Sequence, residues 1–236
     1  MTGTWVRVAD RMYRMRLRFL DVTVGVVWGD DAVVLIDCGT NVDEATRIDR
    51  DVQRLTGRPV DHLVLTHHHF DHILGAPVFA AAQVYAAPAV GTALTARAAA
   101  LYDDAVAHGA DPAAVTRALA AVAPVAQPRR EALLALGDRC VAVRHLGAGH
   151  TDHDLVVLVE LAGPDDPTVV FCGDLVEQSG DPVVDVDSDP LAWPRTLDRL
   201  LAAGGPDARY VPGHGAVVGA DFVAAQRDWL AAGRFR

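Results

Sequence analysis

The chain has 236 residues, 51% of them hydrophobic, which fills one substantial core without calling for a second domain. A formal charge of −10, with no block of basic residues, argues against holding nucleic acid by phosphate neutralisation. All 21 basic residues are arginines and the only serines are Ser179 and Ser188, which excludes Schiff-base lysines, a phosphate-loop lysine and most serine-hydrolase arrangements.

Residues 4 to 37 alternate and then run apolar, with a break at Gly29-Asp30-Asp31. They predict a meander of antiparallel strands closed by a hairpin turn. Helical spacing of Val42, Ala45, Ile48, Val52 and Leu55 predicts a helix over 42–56, and a strand follows at 62–66. Strand, helix and strand in that order imply a parallel crossover. After a strand near Val84-Tyr85, residues 88–136 are dominated by Ala, Leu and Val and predict two or three helices, one starting at Asp111-Pro112. Strands are expected at 140–146, 155–161, 168–172 and 209–211, with helices at 191–203 and 220–232. Two runs of strands with helices, 1–86 and 140–236, thus flank a helical segment. No Gly/Ser/Pro linker separates them, so residues 1–236 are expected to form one domain.

Cys38, Cys140 and Cys172 are odd in number, widely spaced and set in apolar runs, as buried reduced thiols would be. The N-terminus lacks a charged segment followed by an apolar core, and no apolar stretch reaches membrane-spanning length. The expectation is a cytoplasmic protein with a small-molecule substrate and neither nucleic acid nor membrane as partner; the oligomeric state is not legible.

Directly after the apolar run Leu63-Val64-Leu65 stands Thr66-His67-His68-His69-Phe70-Asp71-His72, a His-x-His-x-Asp-His pattern. It places several metal-binding side chains at the end of a strand, where α/β proteins build their sites. Three further turns present one candidate donor each: Gly149-His150-Thr151, Gly173-Asp174 and Pro212-Gly213-His214-Gly215. Glycine lets the backbone turn sharply and pass close to a metal there. His67, His69, Asp71, His72, His150, Asp174 and His214 together suit two metal ions. Imidazole and carboxylate donors favour Zn²⁺, and iron or manganese are alternatives. Five neutral histidines and two carboxylates leave a formal charge of about plus two on a pair of dications, which would hold a hydroxide. His62, His68, His108, His145 and His153 fall outside this pattern and read as structural, with His68 facing away from its neighbours and His153 at the edge of the site.

In these motifs, together with Leu35-Ile36-Asp37-Cys38-Gly39, the chain resembles the metallo-β-lactamase-fold hydrolases over nearly its whole length. The resemblance implies a four-layer αββα sandwich, here with a helical insertion between the halves. It also implies one metal on His67, His69 and His150, a second on Asp71, His72 and His214, and Asp174 bridging. Asp37 takes the place of the family's supporting carboxylate. Antibiotic-hydrolysing members of the cysteine-containing class carry Cys where this chain has Asp174, so the resemblance is to bridging-Asp, glyoxalase II-like hydrolases rather than to a true β-lactamase. The expected activity is binuclear zinc hydrolysis of an ester, thioester or related bond by a metal-bound hydroxide, with Asp71 also accepting a proton. The alternatives are a mononuclear non-haem iron dioxygenase acting on a thiol persulfide, a phosphodiesterase, or a lactonase. For a lactonase, Leu175-Val176-Glu177 lacks the Tyr often found after the bridging Asp. The acidic loop 181–189 is expected near the site mouth, Asp152 and Asp154 as caps or solvated residues, and 91–122 either as packing helices or as a lid.

Overall fold

A computed structural model describes residues 3–122, 131–160 and 167–233. The first sheet holds six strands in chain order: β1 (Val6–Ala9), β2 (Met12–Arg16), β3 (Thr23–Trp28), β4 (Val33–Ile36), β5 (His62–Val64) and β6 (Gln83–Tyr85). The first four pair antiparallel, and Gly29 N–H donates to Ala32 O across the β3–β4 turn. Helix α1 (Val42–Thr56) then carries the chain over so that β5 runs parallel to β4, and β6 parallel to β5. The side chain of Asn41 caps this helix by accepting from Glu44 N–H.

Next come α2 (Phe70–Ile73), a 3₁₀ turn at Ala76–Phe79, and α3 (Pro88–Leu94), α4 (Ala98–Ala107) and α5 (Pro112–Ala120). Asp111 caps α5 from Ala114 N–H, as its place before Pro112 predicts. The second sheet has the order β11-β10-β9-β8-β7, built from β7 (Ala132–Ala135), β8 (Cys140–His145), β9 (Leu155–Val159), β10 (Val169–Glu177) and β11 (Arg209–His214). Helices α6 (Trp193–Gly204) and α7 (Ala220–Ala231) complete the described chain.

Alternation along the strands builds the layers. Val33 and Leu35 of β4 face one core with Ala45, Ile48 and Val52 of α1, while Val34 and Ile36 face a second core with Val157 of β9 and Phe171 of β10. Val156 and Leu158 of β9 turn the other way and meet Leu197 and Leu200 of α6 and Val223 of α7. Helices, sheet, sheet and helices therefore stack as the expected αββα sandwich. Val90, Leu101 and Val115 of α3, α4 and α5 share the first core, so the inserted helices are packing elements. No helix among the described residues is long and apolar enough to cross a membrane.

Two expectations are corrected. Residues 132–135 form a strand, not helix: Ala132–Ala135 pairs with β8 at the sheet edge through a turn at Gly137, whose φ is +97°. High helix propensity of Ala and Leu was outweighed by this turn and by ladder hydrogen bonds. Cys140 is exposed at the start of β8, whereas Cys38 and Cys172 are buried as free thiols.

Candidate metal centre

Leu65 and Thr66 follow β5, and from there the chain enters α2 with His69 at its N-cap and Asp71 and His72 in its first turn. The helix, which the sequence had suggested as loop, brings Asp71 and His72 round to the side of His67. His150 sits on the loop between β8 and β9, Asp174 within β10 and His214 at the end of β11. These last two lie inside strands rather than on turns after them, because pairing resumes past register irregularities at Gly173. All seven side chains come to one edge between the sheets, in two groups. His67, His69, His150 and Asp174 each offer a donor atom within 4.8 Å of the others, as do Asp71, His72 and His214.

Asp174 stands between the groups. Its Oδ2 lies 3.6 Å from His67 Nε2, 3.5 Å from His150 Nε2 and 3.2 Å from His214 Nε2, and its Oδ1 lies 3.2 Å from His72 Nε2. Within the first group, His69 Nδ1 and His150 Nε2 approach to 2.9 Å.

The far nitrogens fix which lone pairs face inward. His72 Nδ1 donates to Asp37 Oδ2 at 2.8 Å, and His214 Nδ1 donates to Leu20 O at 2.6 Å. His67 Nδ1 donates to Thr66 Oγ1 at 3.0 Å, and that hydroxyl donates to Asp37 Oδ2 at 2.9 Å. A neutral imidazole that donates from one nitrogen offers a lone pair at the other, so Nε2 of all three rings is presented to the site. His67 Nε2 and Asp174 Oδ1 are buried without a hydrogen-bond partner. Buried polar atoms are ordinarily satisfied, and a cation between these donors would satisfy both, so the residues fit a metal.

The electrostatics differ from ring to ring: burial opposes the charged form of His69 in the first group, yet Asp187, Asp174 and Asp71 raise it. Burial pushes the His67 imidazolium well down and that of His150 down to about 3, so both stay neutral at pH 7. Burial acts the same way on His72 and His214, but Asp174 and Asp71 outweigh it, raising His72 well above the usual range and His214 up to about 9. Burial opposes ionisation of Asp174 too, yet His72 and His214 hold it well below the usual carboxylate range. Protons on His72 and His214 must therefore leave before either can bind a metal, which makes uptake at this group more favourable as pH rises towards about 9. Calorimetric zinc titration in buffers of different ionisation enthalpy is expected to show proton release that declines between pH 7 and 9.5. Release that grows with pH would assign the protons to water instead.

Gly213 shows how tightly the strand passes the shared carboxylate: a Cβ there would lie 1.8 Å from Asp174 Oδ1 and 2.8 Å from Gly173 C. Gly213→Ala is expected to displace Asp174 and weaken metal binding about tenfold or more. The control is Gly219→Ala, where an added Cβ meets nothing within 4 Å. Equal zinc affinity in the two variants would refute the clash.

Beyond the seven, His68 stands beside His69 rather than facing away from it as expected, the ring centres 4.8 Å apart, with its Nδ1 3.1 Å from His153 Nε2 and its Nε2 3.3 Å from Asp187. Asp187 also comes within 4.0 Å of His69 Nε2, and the His69 contact pulls its carboxyl down to about 2. Asp154 is a buried clamp rather than a solvated residue, accepting from Thr151 N–H and Oγ1 at 2.8 and 2.7 Å, while Asp152 is exposed. Trp193 is a packing residue: fully buried, it donates from Nε1 to Leu175 O and sits under the His150 ring at 5.7 Å.

Glu177 was missed by sequence reasoning. It is buried, lies 3.8 Å from His150 Nδ1 and lines the cleft over the site. Three residues from Asp174, it should face the opposite side of a regular strand, but the irregularity between Gly173 and Glu177 brings both to one side. Burial and the neighbouring Asp174 push its carboxyl up to about 8. The cleft has a volume of about 310 Å³ and is walled by Leu20, by Asp104 of α4 with His108 just past its end, and by residues of the 177–185 stretch.

The family model described as the metallo-beta-lactamase superfamily matches residues 17–214. A comparison with curated proteins by sequence returns no match. Among solved structures, the chain is similar to VMB-1 at pH 5.5, with 16% identity, 99% of each chain covered and a TM-score of 0.73. It is also similar to the metallo-beta-lactamase FIM-1 from Pseudomonas aeruginosa in its mono-zinc form, at 15% identity over 100% of this chain and 98% of that one, with a TM-score of 0.71. A third is the DIM-1 metallo-beta-lactamase exposed to ceftazidime, at 16% identity over 99% and 98%, with a TM-score of 0.72. At such identity these likenesses establish the fold alone.

Proposed function

The chain belongs to the metallo-beta-lactamase superfamily, and on that premise we propose that it is a binuclear zinc hydrolase of a small ester, thioester or related acyl bond. The observation that carries this reading is the position of Asp174, in reach of donor nitrogens from both groups. His67, His69 and His150 would hold one ion, Asp71, His72 and His214 the other, and Asp174 both. Held by these residues, zinc would supply a water of pKa near neutrality and a Lewis acid for the oxygen of a scissile carbonyl.

The chain's own residues do the rest. Asp37 and Leu20 O hold the imidazoles of His72 and His214 in the orientation that keeps Nε2 inward. Asp71, whose Oδ2 lies 3.5 Å from His214 Nε2, is on the cleft wall and is the carboxylate placed to accept the proton released during attack. Apolar Leu20, Phe70 and Val183 border the same cleft and limit its water. Aspartate rather than cysteine at position 174 favours a glyoxalase II-like reaction over β-lactam cleavage. Two complete donor groups also favour two ions over the single iron of a persulfide dioxygenase.

The test is metal content of protein purified without added metal, read beside a panel of thioester, ester, lactone, phosphodiester and β-lactam substrates. About two zinc ions per chain with thioester or ester cleavage is the expected result. About one iron per chain, oxygen uptake with thiol persulfides and no hydrolysis would overturn it.

A further inference from the structure

The wall of the cleft above the donor groups is acidic and apolar. Asp104 from α4 and Asp181 and Asp185 from the loop after β10 line it beside Leu20, Phe70 and Val183. All three carboxylate residues are solvent-exposed. Among the described residues lining the cleft there is no arginine, and the chain contains no lysine. The arginine that comes close to this wall is set to one side. Arg97 lines a separate cavity of about 140 Å³, where Asp104, Asp185 and Asp187 also face it, so carboxylates outnumber the guanidinium. His108 lies 3.2 Å from Asp104 and shares the cleft.

This acidity belongs to ligand-binding space and not to an ordinary solvated loop. Asp174 and His150, both buried and each with a side-chain atom that lacks a hydrogen-bond partner, Oδ1 and Nδ1, line the same cleft. A substrate whose carbonyl reaches the donor groups lays its remaining groups along a cleft that Asp104, Asp181 and Asp185 line. An anionic group placed there would meet three carboxylates with no arginine or lysine among the described residues of the cleft wall to offset them, whereas an ammonium would meet opposite charge beside the aromatic Phe70.

Resting on the hydrolase reading, we propose that the cleft selects esters or thioesters whose acyl or leaving group carries an ammonium, with Asp104, Asp181 and Asp185 as the specificity-determining residues. The reaction is hydrolysis: the acyl C–O or C–S bond breaks, water supplies the oxygen to the acyl carbon, and the leaving group departs with a proton as alcohol or thiol.

A trimethylammonium-bearing thioester and its uncharged tert-butyl isostere, offered to the zinc-loaded full chain, isolate charge from shape. Ether analogues of the pair, which cannot be hydrolysed, give binding by calorimetry without turnover. The cationic member is expected to lead by at least about tenfold in both kcat/KM and Kd, equal to about 1.4 kcal/mol. That lead should shrink with added salt, fall about threefold in Asp181→Asn, and vanish in the Asp104→Asn, Asp181→Asn, Asp185→Asn triple variant. Equal or tighter binding of the tert-butyl ether overturns the proposal whatever the hydrolysis shows. A lead that survives in the triple variant overturns the residue assignment. Preferential binding of the cationic ether with hydrolysis of neither thioester upholds the charge selection and overturns the hydrolase reading alone.

Discussion

Asp174→Ala is expected to lower kcat/KM by about 10³-fold or more and to cut bound zinc from about two ions per chain to one or fewer, with the fold retained. The size follows from position. Asp174 is the one carboxylate in reach of His67, His150, His72 and His214 together, so its loss removes a donor from both groups. It also removes the negative charge that holds the second group in place. Burial would by itself keep His72 and His214 uncharged, and Asp174 is the first of the charges that reverse this. Without it, two dications would be balanced by Asp71 alone among the seven donors. Asp174→Asn keeps the shape and one acceptor oxygen but not the charge. Zinc loss in that variant as well, with unchanged thermal stability of the metal-free protein, would separate a charge requirement from a packing one. Two zinc ions and full turnover in Asp174→Ala would end the bridging assignment. The measurements are elemental mass spectrometry and initial rates on the best substrate of the panel.

How much of this was legible in the sequence depends on whether the information was local. The strand-helix-strand order around α1, the His-x-His-x-Asp-His run and the glycine-flanked His150, Asp174 and His214 are local patterns, and the structure brings all seven donors together. The αββα layering came from the family resemblance, and the structure supplies its reason: β4 and β9 are apolar on both faces, as strands buried between a sheet and helices must be. What was not legible depends on register and turns. Glu177 reaches the cleft only because β10 loses its alternation after Gly173, and no apolar pattern announces such a slip. β7 is four residues of Ala and Leu, which read as helix until the left-handed Gly137 and the pairing with β8 are seen. Asp187 lay within an acidic loop whose composition suggested only solvation, and its approach to His68 and His69, far back in the chain, is a contact that no spacing rule encodes.

The second large effect is expected at a residue that binds no metal. Asp37, buried at the end of β4, accepts from Thr66 N–H at 2.8 Å, Thr66 Oγ1 at 2.9 Å and His72 Nδ1 at 2.8 Å. Its backbone has φ +57°, a left-handed conformation that Asp and Asn tolerate better than Ala. Asp37→Ala therefore strands three buried donors, each worth about 1–3 kcal/mol when left unsatisfied, and adds backbone strain. Water entering the space offsets part of this, and a net loss of about 3–5 kcal/mol is expected by thermal or denaturant unfolding. Asp37→Asn distinguishes support of the fold from support of the site. Its amide oxygen still accepts from Thr66 N–H, but its NH₂ now faces His72 Nδ1 and Thr66 Oγ1 as a donor. His72 must then accept at Nδ1 and carry its proton on Nε2. Thr66 Oγ1, now accepting from the amide, turns its hydrogen towards His67 Nδ1, with the same consequence for His67. Both rings would present N–H instead of a lone pair to the metals. Asp37→Asn is thus expected to lose less stability than Asp37→Ala yet to weaken zinc binding about 10–100-fold or more, and to bind no better than Asp37→Ala does. Zinc affinity in Asp37→Asn equal to that of the unaltered protein would show that Asp37 braces the fold without setting the protons of the site.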